Sequence, residues 1–245
     1  MRLLKSLMAA SLAILMTLPG MATAAPAPGG YNWSGSYAGA VASGGLFTVE
    51  QEDYWCWWAC NAPTLQDWDA SIGLQAGHNW QNGNFVHGLV VDWSTGFENS
   101  ESVRWNSNTT GVDWSAEWNS YATIRGRAGL AAGNALVFAT AGVAIVDVDY
   151  SASEFQPSDN CSDTDVDCAA YSDTEYGFAG GIGVGYPVGD NMHLTFEYLY
   201  IGLPWAKDRY DSDEEDNLTD TDDYVSWTTS AHIGRVALVW EFDGL

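Results

Sequence analysis

Three arginines carry the clearest chemistry in this chain. Arg125, Arg127 and Arg235 are half of the six Lys and Arg found beyond residue 24. Each sits in a stretch where apolar and polar residues alternate. The carboxylates in comparable stretches are Asp69, Asp92, Glu197 and Glu241. A charge held in a narrow interior needs a counter-charge and hydrogen bonds, because desolvation otherwise dominates. Two roles fit such a set. It can be a fixed ionic plug that fills an interior and sets strand register, or a gate whose pairs rearrange to admit water and small ions.

A second group is acidic. Residues 208–223 contain nine acids, including Asp211, Asp213, Glu215, Asp216, Asp220 and Asp222. Oxygen ligands of this kind suit calcium. The run lacks the central glycine and spacing of an EF-hand loop, so it reads as a solvated acidic face with weak divalent association at most. A third group, Trp55, Trp57 and Trp58, lies beside Cys56 and Cys60 in Tyr54–Cys60. Aromatics of this sort favour interfaces. They fit a grip on lipopolysaccharide, a sugar or a protein, and equally an anchor at a membrane rim. Cys161 and Cys168 complete the four cysteines. Export would permit disulfides, and the three pairings stay open. The spacings miss the paired Cys-x(2–4)-Cys pattern of a zinc site, with no His near either pair. No catalytic set emerges from His78, His87, His193 and His232, and no phosphate-binding glycine fingerprint is present. The expectation is a chain without catalytic residues, specific metal or cofactor.

The bulk composition narrows the partners. The full chain carries 32 acids against 8 Lys plus Arg, a net charge of −24. Nucleic acid is disfavoured, since binding a phosphate backbone takes many cations. The 13 Trp and 12 Tyr argue against global disorder. Arg2 and Lys5, the apolar run Leu7–Leu18 and the small residues Ala22-Thr23-Ala24 read as a signal peptide over residues 1–24. Its apolar run falls short of the ~20 residues a spanning helix needs. Cleavage would take away two positive charges and leave a charge near −26. A short periplasmic leader follows over 25–33, and residues 34–245 form the remaining domain.

The elements that must position these groups are strands. Alternation predicts eight, over 34–48, 67–81, 84–96, 114–130, 134–150, 173–187, 191–205 and 226–242. They are longer than the strands of soluble sheets and suit tilted strands crossing a bilayer. Short turns follow the second, fourth and sixth at Asn82-Gly83, Ala131–Gly133 and Val188–Asp190. Long polar loops follow the others, over 49–66, 97–113, 151–172 and 206–225. Alternating short turns and long loops are the layout of bacterial outer-membrane barrels.

Strand faces agree. Strand seven sets Met192, Leu194, Phe196, Tyr198 and Tyr200 against His193, Thr195 and Glu197. Strand eight sets Val236, Leu238, Trp240 and Phe242 against Arg235 and Glu241. Strand four sets Trp118, Ala122, Ile124, Ala128 and Leu130 against Asn119, Tyr121, Arg125 and Arg127. Charges inward and apolar groups outward fit lipid, where an outward Arg costs ~2–4 kcal/mol near the midplane. Strand six places Gly177, Gly181, Gly183 and Gly185 on the inward face, as a cramped interior requires. Trp68, Trp80, Trp118, Tyr186, Tyr200 and Trp240 fall near strand ends as aromatic girdles do. The fold expected is all-β: an eight-stranded antiparallel transmembrane β-barrel, an up-and-down meander, in the bacterial outer membrane.

The opening Tyr31-Asn32-Trp33-Ser34-Gly35-Ser36-Tyr37-Ala38-Gly39 resembles the first strand of the outer-membrane immunogenic protein family, small porin-like or OmpA-like barrels. Tyr121–Leu130 is similar to that family's fourth strand, Asn134–Val146 to its fifth and Gly180–Tyr186 to its sixth. The resemblance implies an eight-stranded barrel without cofactor, in contact with outer-membrane lipid, lipopolysaccharide and the barrel-insertion machinery. It implies a role in surface structure or limited diffusion. Members usually end on an aromatic, whereas here Phe242 is followed by Asp243-Gly244-Leu245. Two functions follow: a surface barrel whose acidic loops meet an extracellular ligand, and a narrow porin passing small solutes or cations.

Overall fold

A computed structural model describes residues 30–53, 64–97, 111–155, 168–209 and 224–242. Eight antiparallel strands form a closed barrel in chain order. They are β1 (Gly35–Asp53), β2 (Leu65–Asn82), β3 (Phe85–Phe97), β4 (Gly111–Ala132), β5 (Ala135–Phe155), β6 (Cys168–Gly189), β7 (Met192–Arg209) and β8 (Tyr224–Phe242). Closure comes from β1 and β8, which pair from Ser36↔Phe242 to Asp53↔Val225. It removes the open edge that would leave backbone groups unpaired in lipid.

All three short connections are two residues long, so the second and third come out one residue shorter than alternation predicts and the first is shifted by one. Asn82 faces Phe85 across Gly83-Asn84, and Ala132 faces Ala135 across Gly133-Asn134. Gly83 and Gly133 hold φ of 62° and 61°, the left-handed region where a Cβ is disfavoured. Most strands extend further at the opposite end than predicted. β4 runs back to Gly111 and β6 starts at Cys168.

The outer wall is apolar. Ile72, Leu74, Ile182, Leu130 and Trp240 are all more than half exposed, which is the wall a bilayer covers. The inner wall is mixed. Polar side chains occupy its middle, and two apolar clusters occupy its ends. Toward the long loops lie Phe47, Trp118, Val146, Val148, Ile201 and Leu203 with their neighbours. Toward the short turns lie Trp33, Val86, Leu136 and Phe138.

One predicted face is reversed. Trp118 is not on the lipid side but fully buried in the lumen, and Asn119 is exposed instead. The cause is a β-bulge. Trp118 faces Val148 and Ser120 faces Asp147, so Asn119 is an extra residue in β4. One inserted residue turns the side chains beyond it to the opposite face. Trp118 therefore belongs to the interior rather than to a girdle.

Candidate functional site

Four of the expected charges meet in the middle of the lumen. Two cross-strand neighbours set the frame: Asp92 of β3 faces Thr123 of β4, and Glu197 of β7 faces Arg235 of β8. Arg125 projects between these pairs and uses all its donors. Its Nε donates to Thr123 Oγ1 at 2.8 Å. One terminal nitrogen donates to Thr140 Oγ1 at 2.7 Å and to Glu197 Oε1. The other donates to Asp92 Oδ2 at 2.8 Å and to Glu197 Oε2 at 3.3 Å. A guanidinium has five N–H groups, and each has an acceptor here.

The threonines relay charge between the ions. Thr123 Oγ1 donates to Asp92 Oδ2 at 2.6 Å while accepting from Arg125. Thr140 Oγ1 donates to Glu197 Oε1 at 2.9 Å while accepting from Arg125. Arg235 closes the ring, 3.0 Å from Asp92 Oδ1 and 3.6 Å from Glu197 Oε2. The four side chains are no more than 5% exposed. Two cations face two anions, so the cluster is neutral. Its desolvation is offset by close Coulomb contacts and, at Arg125, by a full set of hydrogen bonds, while Arg235 contributes ion pairs alone.

Glycines make the room. A Cβ on Gly181 would stand 3.0 Å from both Glu197 Oε1 and Thr140 Oγ1, and one on Gly183 would stand 2.5 Å from the Phe138 ring. The glycine-rich inward face of β6 thus accommodates the network and the ring below it.

The other expected members keep different company. Glu241 lies toward the short-turn end, where Oε1 is 3.0 Å from His193 Nδ1 and Oε2 accepts from the Tyr31 hydroxyl at 2.8 Å. Arg127 is buried but forms no ion pair among the described residues. Its guanidinium lies over the Phe138 ring at 4.4 Å and the Tyr37 ring at 5.4 Å. Asp69 shares the inward parity, yet it faces Gly45, which in turn faces Ile233. That register level is in the apolar outer half, and the residue is half-buried there.

Sequence reasoning missed the cap at the short-turn mouth. Trp33 precedes β1 and is buried, its backbone N–H donating to Gln81 Oε1 at 2.8 Å. Its ring meets His193 edge-on at 5.1 Å. Thr123 and Thr140 were also missed, although parity puts both on the inward face. A hydroxyl layer of Ser43, Ser71 and Tyr121, with Ser43 Oγ 2.9 Å from Ser71 Oγ, is a further unanticipated lumen feature.

The loop groups lie outside the described residues. These are Trp55, Trp57, Trp58, Cys56, Cys60, Cys161, Asp211, Asp213, Glu215, Asp216, Asp220 and Asp222. Cys168 opens β6, with its side chain likewise outside.

Comparison with known proteins agrees with the barrel. Residues 10–229 match the outer membrane protein beta-barrel domain. The chain is 29% identical to the 31 kDa outer-membrane immunogenic protein of Brucella melitensis biotype 1, over 94% of this chain and 91% of that protein. It is 33% identical to the 22 kDa outer membrane protein of Rhizobium leguminosarum bv. viciae, over 56% of this chain and 53% of that one. Among solved structures, Neisserial surface protein A aligns with a TM-score of 0.42 at 11% identity, covering 85% of this chain and 98% of that chain.

Proposed function

The chain belongs to the outer membrane protein beta-barrel domain family, and on that premise we propose that it is a closed surface barrel whose loops, not its lumen, do the work. It resides in the outer membrane, as its relatives' names state of them. The carrying observation is the stacking inside the barrel. A neutral, hydrogen-bonded ion network lies between two apolar clusters, so a hydrated ion would have to cross both. Stripping water from a small ion without replacement ligands is costly. Eight strands leave little space for a path around the side chains.

On this reading the chain is not an enzyme and needs no cofactor. Its Trp55, Trp57 and Trp58 meet lipopolysaccharide or an extracellular ligand. Its acidic fourth loop associates weakly with divalent cations, and its four cysteines form disulfides. Lipid covers the outer wall, and the insertion machinery places the barrel there.

Planar-bilayer recording from the purified, folded chain tests the proposal. The expected result is no stable conductance. A reproducible single-channel step that is lost in Glu197→Gln would overturn it in favour of a narrow porin.

A further inference from the structure

We propose that Asp67, Asp69 and Asp173 guard two open strand edges against pairing with a second copy of this chain. The edges follow from the registers. Toward the long loops, β2 pairs with β3 no further than Gly73↔Ser94, while its residues 65–72 go on pairing with β1. Likewise β6 pairs with β7 no further than Phe178↔Gly202, while β6 runs on beside β5 and β7 beside β8. Among the described residues, the barrel therefore parts into two sheets, β7-β8-β1-β2 and β3-β4-β5-β6. The apolar cluster lies between them, with Phe47, Ile201 and Leu203 from one sheet and Trp118, Val146 and Val148 from the other.

An antiparallel strand turns every second N–H to the same side. On β2 these are Trp68, Ala70 and Ile72, and each finds a side-chain oxygen in place of a strand. Ile72 N donates across the gap to Thr95 Oγ1 of β3 at 3.2 Å, which fixes the side to which the series points. Ala70 N donates to Asp69 Oδ1 and Trp68 N to Asp67 Oδ1, both at 2.6 Å. On β6, Thr174 N donates to Asp173 Oδ1 at 2.6 Å, past the last β7 partner. Three times an aspartate bonds the N–H of the next residue where the neighbouring strand has ended. The gap opens where the wall leaves lipid. Thr95 and Asp147 are the two strand partners of Ser120, and at Asp147 the outer face of β5 turns from Ile145 to acid. There an open edge faces other barrels in the same membrane, and its unpaired backbone groups would template the addition of a strand. A carboxylate on the N–H occupies, through a charge-assisted bond, the place that an incoming carbonyl needs. Asp69 thus has a role apart from the central ion cluster.

The guard stands whether or not the barrel conducts, so its test is separate. In the folded, unaltered chain, hydrogen exchange should show the amides of Trp68, Ala70 and Thr174 protected. Combining Asp67→Ala, Asp69→Ala and Asp173→Ala should speed exchange at those amides about tenfold. In detergent, the same triple variant should sediment as a heavier species than the unaltered chain. Combining Asp67→Asn, Asp69→Asn and Asp173→Asn keeps an acceptor oxygen at each place and should leave the mass unchanged. An alanine variant no heavier than the unaltered chain, or an asparagine variant that associates as readily as the alanine one, overturns the proposal. Should the alanine variant fail to fold, exchange in the unaltered chain decides: protection at the three amides supports the guard, and free-peptide rates there overturn it.

Discussion

In the middle of the lumen, Arg125 places each of its donors on a named acceptor, and four ions and two threonines hold one another in fixed positions. Toward the long loops, the same inner wall is filled by Phe47, Val146, Val148, Ile201 and Leu203, which ask for no particular partner. The two regions fill equal roles in closing the barrel, yet they specify it differently. The ionic layer tolerates one arrangement, because a strand slipped by one residue would put Glu197 or Arg235 into lipid. The apolar layer asks chiefly for volume, and other side chains of similar size could supply it. Register is therefore fixed in the middle and bulk is supplied above.

The sharpest way to break this contrast is Glu197→Ala. It leaves Arg125 and Arg235 buried with only Asp92 between them. Removing one member of a buried ion cluster costs about 3–5 kcal/mol, and the upper end is expected because Glu197 meets both arginines. Equilibrium unfolding in lipid vesicles measures the loss. An apolar replacement of the whole cluster, Asp92, Arg125, Glu197 and Arg235 together, should restore most of the stability. A lasting deficit in that variant would show that the ions contribute more than mutual neutralisation.

The apolar layer is probed by Trp118→Ala, with a loss of about 3 kcal/mol expected for emptying a buried aromatic site. Trp118 packs edge-on against Phe47 at 5.0 Å, so both rings lose contact. A loss near zero would return Trp118 to the lipid face and remove the bulge at Asn119. This residue also shows where the sequence stops being legible. Alternation put Arg125, Arg235, Asp92 and Glu197 on one face because a two-residue period survives along regular strands. It gave no heights, so Asp69 was grouped with charges that sit at another level, and Arg127 was given a carboxylate where it has two aromatic rings. It also could not see Asn119 as an inserted residue, since a bulge is defined against the partner strand and leaves the local pattern intact. The outer-half plug was hidden for a different reason. Along β5, Val146 and Val148 point inward while Asp147 and Asp149 take the outer face, so the alternation is inverted relative to the stretch of Val143 and Ile145, and a rule that turns apolar residues to lipid reads it backwards.

The smallest effect is expected at the mouth near the short turns, where the two modes of filling meet. Tyr31 is half-buried, its ring packs against Trp33 at 4.8 Å, and its hydroxyl reaches Glu241 on the last strand. Tyr31→Phe keeps the packing and removes only the donor. A hydrogen bond to a charged group contributes about 1.5–3 kcal/mol when buried, but exposure at the mouth lets water replace the phenol, so about 1 kcal/mol is expected. The companion variant Trp33→Ala removes the ring that fills the mouth and the edge-on contact with His193. If Tyr31→Phe costs as much as Trp33→Ala, the cap is ionic in kind and continues the Arg125 layer down to the rim. If it costs a small fraction of that, the rim behaves like the outer half, a volume filled by aromatic bulk, and the ionic mode of specification is confined to the middle of the barrel.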